Sequence, residues 1–268
     1  MGKFIAAIDH SGGSTGGVLE RYGQDYTEEN KMDLVHKMRL RMVNSPDFTS
    51  DNIWGAIMYK DSVERGLAHI MNSKGIKSFL KIDSGCDEDG TLKQFPVKQM
   101  LSYALRTDCH GTKMRSIVKG VGMAHPVLKQ QFTIAQTVSE YGLVPIIEPE
   151  VPIDHPIKGE VEEALLYQLY EFLDEYSTKC ILKLTPPENP NLYKPLLEFD
   201  NVEQIVFLSG GYPTAEACRR LSMADGISAS FSRALSEGID ANQSDVVFDA
   251  RLSLNISDIV KASGHKGG

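Results

Sequence analysis

Eight short runs of apolar and β-branched residues recur along the chain, spaced widely enough for a helix between successive runs, and this alternation is what most constrains the fold. The runs are Lys3–Asp9, Asn52–Tyr59, Lys77–Asp83, His110–Ser116, Gly142–Glu148, Lys179–Leu184, Val202–Ser209 and Gly226–Arg233. Between them apolar residues return at helical spacing. Val127, Leu128, Phe132, Ala135 and Val138 share one face, with Pro126 near the start and Gly142 where a stop belongs. Val161, Leu165, Leu169 and Leu173 make a second stripe, and Val63, Leu67, Ile70 and Met71 a third, closed by Gly75. Mixed helical spacings predict a last helix over Asp245–Ala262. The least strand-like runs are His110–Ser116, which holds Gly111 and two cations, and the Ser/Ala-rich Gly226–Arg233.

Strand and helix in alternation imply a parallel sheet, because each parallel pair needs a crossover connection. Eight such units in 268 residues fit an α/β fold closed as a (β/α)8 barrel, for which about 250 residues is usual. An open doubly wound sheet fits less well, since no G-x-G-x-x-G follows the first run. No internal repeat, low-complexity tract or linker divides the sequence, so a single domain over residues 1–268 is expected.

The chain is 41% hydrophobic and 24% charged, which sets aside disordered, collagen-like and coiled-coil classes. Its net charge of −8 and the lack of a long Lys/Arg run argue against a nucleic-acid partner. No window approaches the ~20 apolar residues that span a bilayer, and Met1 leads almost directly into Phe4–Ile8 without a signal-peptide layout; a cytoplasmic protein with no membrane partner is expected. Cys86, Cys109, Cys180 and Cys218 are scattered, with no C-x-x-C, and read as reduced thiols rather than metal ligands.

A parallel barrel gathers its C-terminal strand ends and the loops that follow them at one mouth. The ends of the eight runs supply Asp9, Tyr59, Lys81, Asp83, Lys113, Arg115, Glu148, Lys183, Ser209 and Arg233. Any one of Lys81, Lys113 and Lys183 could be a surface cation with a buried stem, but three in matching places on apolar strands are harder to dismiss. Residues at i and i+2 of a strand share a face, which pairs Lys81 with Asp83, Lys113 with Arg115, and Glu148 with Glu150. Crowding ammonium groups in a partly dry mouth lowers the pKa of at least one. A neutral amine attacks carbonyls, and the protonated imine it forms is an electron sink for breaking a neighbouring carbon–carbon bond. Glu148 and Asp9 are the carboxylates available for proton transfer, although the glutamates also read as plain ion-pair partners for the lysines. Ser209-Gly210-Gly211 and the nearby Arg233 occupy the region where barrels often hold phosphate; a simple turn is the alternative. Ser11-Gly12-Gly13-Ser14 is a second Ser/Gly loop which, with Lys81, offers another anion site.

These segments jointly resemble the Schiff-base (class I) fructose-1,6-bisphosphate aldolases, especially their bacterial form. The resemblance covers nearly the whole chain and rests on Ala7–Thr15, Phe79–Asp83, Gly111–Ser116, Val144–Val151, Leu182–Thr185, Leu208–Tyr212 and Ala229–Leu235. It implies that Lys183 forms the imine and that Glu148 is the acid/base for carbinolamine formation and dehydration. Lys113 is implied as the second lysine, paired with Glu150, and Asp9 as the carboxylate of bond cleavage near the substrate C4 hydroxyl. Ser209, Gly210 and Arg233 match contacts to the dihydroxyacetone phosphate half; Ser11, Ser14, Lys81 and Arg115 match contacts to the other half. The implied reaction, part of glycolysis and gluconeogenesis, uses no metal or cofactor and takes a phosphorylated sugar; a homo-oligomer is left open.

The sequence departs from the family at Gly16-Gly17-Val18 and at Asp83-Ser84, where relatives carry cations, so weaker binding of the second phosphate is expected. It also ends without the terminal tyrosine of animal forms, and it starts almost at the first strand, where relatives place a floor-covering helix. Rival readings are a Schiff-base aldolase for another phosphosugar, such as deoxyribose phosphate or a sedoheptulose bisphosphate, a zinc-dependent aldolase, and a non-catalytic barrel. The zinc reading suffers because only His10 and His110 fall near strand ends.

Overall fold

All eight expected strands form and pair side by side in chain order, each parallel to its neighbour. They are β1 (Phe4–Ile8), β2 (Ile53–Met58), β3 (Lys77–Lys81), β4 (Gly111–Ile117), β5 (Val144–Glu150), β6 (Cys180–Leu184), β7 (Val202–Phe207) and β8 (Ser228–Ala229). The computed structural model describes residues 2–11 and 13–263, the side chain of Ser14 excepted. β8 is shorter than its sequence run, since serine and alanine offer little side chain to pack on a sheet. The ring is nevertheless drawn together. The Ala7 N–H donates to the Phe231 carbonyl at 3.2 Å, and the Ser228 hydroxyl donates to the Lys3 carbonyl at 2.6 Å.

The helices are α1 (Gly13–Arg21), α2 (Lys31–Asn44), α3 (Lys60–Glu64), α4 (Leu67–Ser73), α5 (Val97–Arg106), α6 (Ala124–Glu140), α7 (Lys158–Glu175), α8 (Thr214–Ser222) and α9 (Asp245–Ala262). α6 and α7 bury every residue of the two stripes read from sequence. The stripe from Val63 to Met71 is split between α3 and α4, because Gly66 between them has φ +87°, a left-handed angle that cannot continue a right-handed helix. The connection from β6 to β7 holds only a 3-10 turn, Lys194–Glu198, where sequence alternation implied a helix. Pro186, Pro187, Pro190 and Pro195 in that stretch remove the N–H donors a longer helix needs.

Two apolar layers result. The larger fills the space between the strands and the helices around them. The smaller lies inside the barrel and consists of Ile5, Ala7, Ile57, Phe79, Ile146, Ile181 and Val206, with Trp54 stacked on Phe79 at a centroid distance of 5.8 Å. Gly111, the residue that weakened the fourth strand in sequence, is glycine for a steric reason. A β-carbon there would stand 2.0 Å from the Val144 carbonyl oxygen and 2.8 Å from the Phe79 ring.

Candidate active site

The period of two along each strand carries the inner apolar layer upward into a charged one. Ala7 is followed on the same face by Asp9, Ile57 by Tyr59, Phe79 by Lys81 and Asp83, Ile146 by Glu148 and Glu150, and Ile181 by Lys183. These groups converge on one cavity of about 960 Å³ at the C-terminal strand ends, together with Ser11, Lys113, Arg115, Ser209, Gly210 and Arg233. Every described residue nominated from sequence therefore lines a single space. The side chain of Ser14 lies outside the described residues.

Four of the groups form one ionic network. Lys113 Nζ lies 3.0 Å from Asp9 Oδ2 and 2.7 Å from Glu148 Oε2, and Lys183 Nζ lies 3.3 Å from Glu148 Oε1. The side chains of Lys113, Glu148 and Lys183 are 3–4% exposed, so the Lys183 amine faces this network and not bulk water. The sequence reading paired Lys113 with Glu150, and the structure corrects it: Glu150 bonds the Arg115 guanidinium. Strand register explains why. Lys113 stands opposite Ile146, four residues and about 13 Å below Glu150, whereas Arg115 stands opposite Glu148 and reaches two residues further. Lys81 Nζ pairs with Asp83 Oδ1 at 3.1 Å, and Asp83 also accepts the Gly85 and Arg115 backbone N–H groups.

The network separates the two central lysines electrostatically. Burial disfavours the ammonium in both. At Lys113 the carboxylates of Asp9 and Glu148 outweigh burial and hold its pKa above the ordinary lysine value. At Lys183 burial, helped by repulsion from Lys113, outweighs Glu148 and Asp9, and its pKa falls below 10.5. Burial would raise the Asp9 carboxyl, but Lys113 and Lys183 override it and keep it well below the usual carboxylate range. The lowered pKa expected of at least one crowded lysine belongs to Lys183.

Across the mouth, Gly210 and Gly211 take left-handed φ angles of +57° and +104°, a turn that other residues adopt with strain. Arg233 donates to the Gly211 carbonyl at 3.4 Å, which holds the guanidinium against this turn. The buried Ser230 hydroxyl has no bonded partner among the described residues. Serine hydroxyls, a turned glycine backbone and a guanidinium are the donors that grip a phosphate.

Several residues escaped the sequence reading. Lys60 of α3 and Arg21 of α1 line the cavity. His10 also lines it, and its Nε2 lies 2.7 Å from the Ser232 hydroxyl oxygen. Burial, then Arg39, pushes the His10 pKa down to about 4, leaving a neutral imidazole at pH 7. Arg39 itself is fully buried in α2 and donates to Ser62 Oγ at 2.6 Å and to the His10 carbonyl. The available signal was a cation on an apolar stripe, four residues after Val35 and three before Met42. His110, by contrast, sits just before β4 against Phe79 and Trp54, at the end of the barrel opposite the mouth.

A parallel barrel whose mouth sets a lysine of lowered pKa beside a glutamate bridged to a second lysine is of the Schiff-base aldolase class. Class 1 fructose-bisphosphate aldolases from Synechocystis sp. and Clostridium acetobutylicum are each 41% identical to this chain, over 97% of it and 93% and 95% of their own lengths. The chain belongs to the class 1 fructose-bisphosphate aldolase family. The Porphyromonas gingivalis member is 36% identical over 97% of this chain and 94% of its own. No family model matches. Among solved structures, a Plasmodium falciparum fructose-bisphosphate aldolase superposes with a TM-score of 0.79 at 18% identity, covering 99% of this chain and 92% of that one. An archaeal fructose-1,6-bisphosphate aldolase, solved with its catalytic lysine bound to the carbinolamine intermediate, gives 0.55 at 14% identity over 95% and 94%. At those identities the likeness speaks for the fold.

Proposed function

We propose that this chain, as one catalytic domain, reversibly cleaves fructose 1,6-bisphosphate to dihydroxyacetone phosphate and glyceraldehyde 3-phosphate through an imine on Lys183. The observation that carries the reading is the Lys183 amine, buried, lowered in pKa and 3.3 Å from Glu148. The neutral amine adds to the C2 carbonyl to give a carbinolamine. Glu148 gives a proton to the departing C2 hydroxyl, water leaves, and a protonated imine forms. Asp9 takes the proton of the C4 hydroxyl as the C3–C4 bond breaks. The C4 oxygen becomes the carbonyl of the released aldehyde, and the bonding pair moves into the imine as an enamine. Protonation at C3 and hydrolysis then free dihydroxyacetone phosphate and restore the amine. Lys113, held cationic, supports proton movement and the substrate hydroxyls.

Ser209, Gly210 and Arg233 bind the phosphate of the dihydroxyacetone half, and Ser11, Lys81 and Arg115 face the other half. Four unpaired cysteines and a net charge of −8 support a reducing, cytoplasmic setting and a sugar phosphate rather than nucleic acid as partner. No helix among the described residues is long and apolar enough to cross a membrane. The test is borohydride reduction in the presence of fructose 1,6-bisphosphate, followed by peptide mapping. A substrate-derived adduct on Lys183 with loss of activity is expected; label on another lysine, or none, rejects the assignment. A parallel panel of one- and two-phosphate ketoses separates this substrate from other phosphosugars.

A further inference from the structure

The barrel ladder is interrupted beside the reacting amine, and a side chain bridges the interruption. β5 is in register with β6 only at Ile146 with Ile181 and Ile147 with Leu182, whereas it stays paired with β4 as far as Glu150. Backbone groups of successive strand residues address alternate neighbours. The Glu150 carbonyl accepts the Val118 N–H at 2.8 Å, so Glu148 and Glu150 face β4 while Pro149 and Val151 face β6. Pro149 has no N–H to give. The rung that would join β5 to β6 next to Glu148 and Lys183 is therefore missing.

Above the gap, the Thr185 hydroxyl donates to the Val151 carbonyl at 2.8 Å and accepts the Val151 N–H at 3.0 Å. Both residues are buried, so this one hydroxyl serves two backbone groups that water does not reach. The stretch after Thr185 is fixed as well. Lys158, in the first turn of α7, donates to the Pro186 carbonyl at 2.8 Å and is ion-paired with Glu162, which accepts the Glu188 N–H at 3.0 Å.

We propose that Thr185 is a positioning residue for the imine chemistry, its hydroxyl bridge to Val151 setting the separation of Lys183 from Glu148. The proposal rests on Lys183 as the imine-forming residue. The charged groups facing Lys183 are Glu148 from β5, Lys113 from β4 and Asp9 just after β1, and β7 places uncharged Val206 opposite it. Loosening β5 from β6 moves Glu148 away from Lys183 while Lys113 and Asp9 stay with β4 and β1. That change weakens proton delivery to the carbinolamine and removes part of what favours the ammonium form of Lys183.

The experiment compares the unsubstituted chain with Thr185→Val and Thr185→Ser. It measures kcat and KM for fructose 1,6-bisphosphate, and the pH dependence of borohydride trapping on Lys183. Valine keeps the shape and loses the bridge. It is expected to lower kcat about 10- to 100-fold with KM changed by less than about threefold, and to move the acid limb of trapping to lower pH. Serine, which keeps the hydroxyl, is expected to restore kcat and the acid limb. Unchanged kcat and acid limb in the valine chain, or a serine chain as impaired as the valine chain, overturns the proposal. If the valine chain does not fold, Thr185→Cys, with a weaker donor and acceptor at the same place, is read by the same criteria. Absence of label on Lys183 in the unsubstituted chain overturns the imine assignment and this proposal with it, whereas label there with an indifferent valine chain overturns this proposal alone.

Discussion

Lys183 and Glu148 meet at 3.3 Å, a longer contact than the 2.7 Å between the same carboxylate and Lys113. One glutamate is thus divided unequally between two buried ammonium groups, and Lys113 has Asp9 besides, at 3.0 Å. The better-compensated lysine keeps its proton and the other loses it more readily. That inequality sets apart two lysines at strand ends, one shifted towards the neutral amine and the other held cationic.

Glu148→Gln tests the division. An amide keeps the size of the side chain but neither gives nor accepts a proton in the chemical step, so kcat for fructose 1,6-bisphosphate is expected to fall by about 10²- to 10⁴-fold. KM should change little, because Glu148 lies against Lys183 and not in the phosphate loops. Borohydride trapping on Lys183 should also slow. Steady-state kinetics with wild-type kcat in the amide variant would reject Glu148 as the proton carrier.

Lys183→Met is expected to abolish turnover and yet stabilise the fold near neutral pH. The folded pKa of Lys183 lies below its unfolded value near 10.5. For a base shifted in that direction, the folded chain pays the full cost of the buried ammonium below the folded pKa. The cost shrinks as pH rises through the folded pKa and vanishes above the unfolded one. Denaturant unfolding of both chains should therefore show the largest advantage for methionine at neutral and lower pH, and convergence towards pH 10.5. A methionine chain less stable at pH 7 than the parent contradicts the assigned direction.

The fold was legible because each parallel strand leaves a signal of its own, an apolar run of the right length, and the functional strand ends were legible because charge at the end of such a run is costly without purpose. What sequence hid was pairing and reach. Glu148 and Glu150 look equivalent at i and i+2, yet register places the first against both lysines and the second against Arg115. His10 and Ser232 are 222 positions apart, and only closure of the ring between β1 and β8 brings them to 2.7 Å. The missing helix before β7 was foreshadowed by its prolines, which alternation alone overrode.

Gly111→Ala should destabilise the barrel without touching the site chemistry. The added methyl meets the Val144 carbonyl oxygen at 2.0 Å and the Phe79 ring at 2.8 Å, and the first of these is backbone that cannot swing aside. Overpacking of this kind costs about 1–3 kcal/mol. Denaturant titration measures it, and Phe79→Leu, which shortens the ring but leaves the carbonyl clash, should recover only part of the loss. An alanine variant as stable as the parent contradicts the steric account of this glycine.

Arg21 brings to the mouth a cation of the kind that the sequence lacks directly after Ser14. The side chain is exposed, lines the mouth cavity and lies over Gly17, where a β-carbon would stand 3.5 Å from its Nη1. Long helical side chains lean towards the N-terminus of their helix, and α1 begins at the mouth, so a cation placed at Arg21 reaches back towards the cavity. Lys60 of α3 lines the same cavity. A charge-assisted hydrogen bond is worth about 1.5–3 kcal/mol, so Arg21→Ala should raise KM for fructose 1,6-bisphosphate by about 10- to 100-fold at nearly constant kcat, the pattern of a contact equal in ground and transition states. Fructose 1-phosphate, which lacks the second phosphate, should be turned over by the variant and the parent with the same kcat/KM. Equal losses on both sugars would place Arg21 at the other phosphate or in general steering of anions, and loss on neither would leave the second phosphate to Lys81, Arg115 and Lys60.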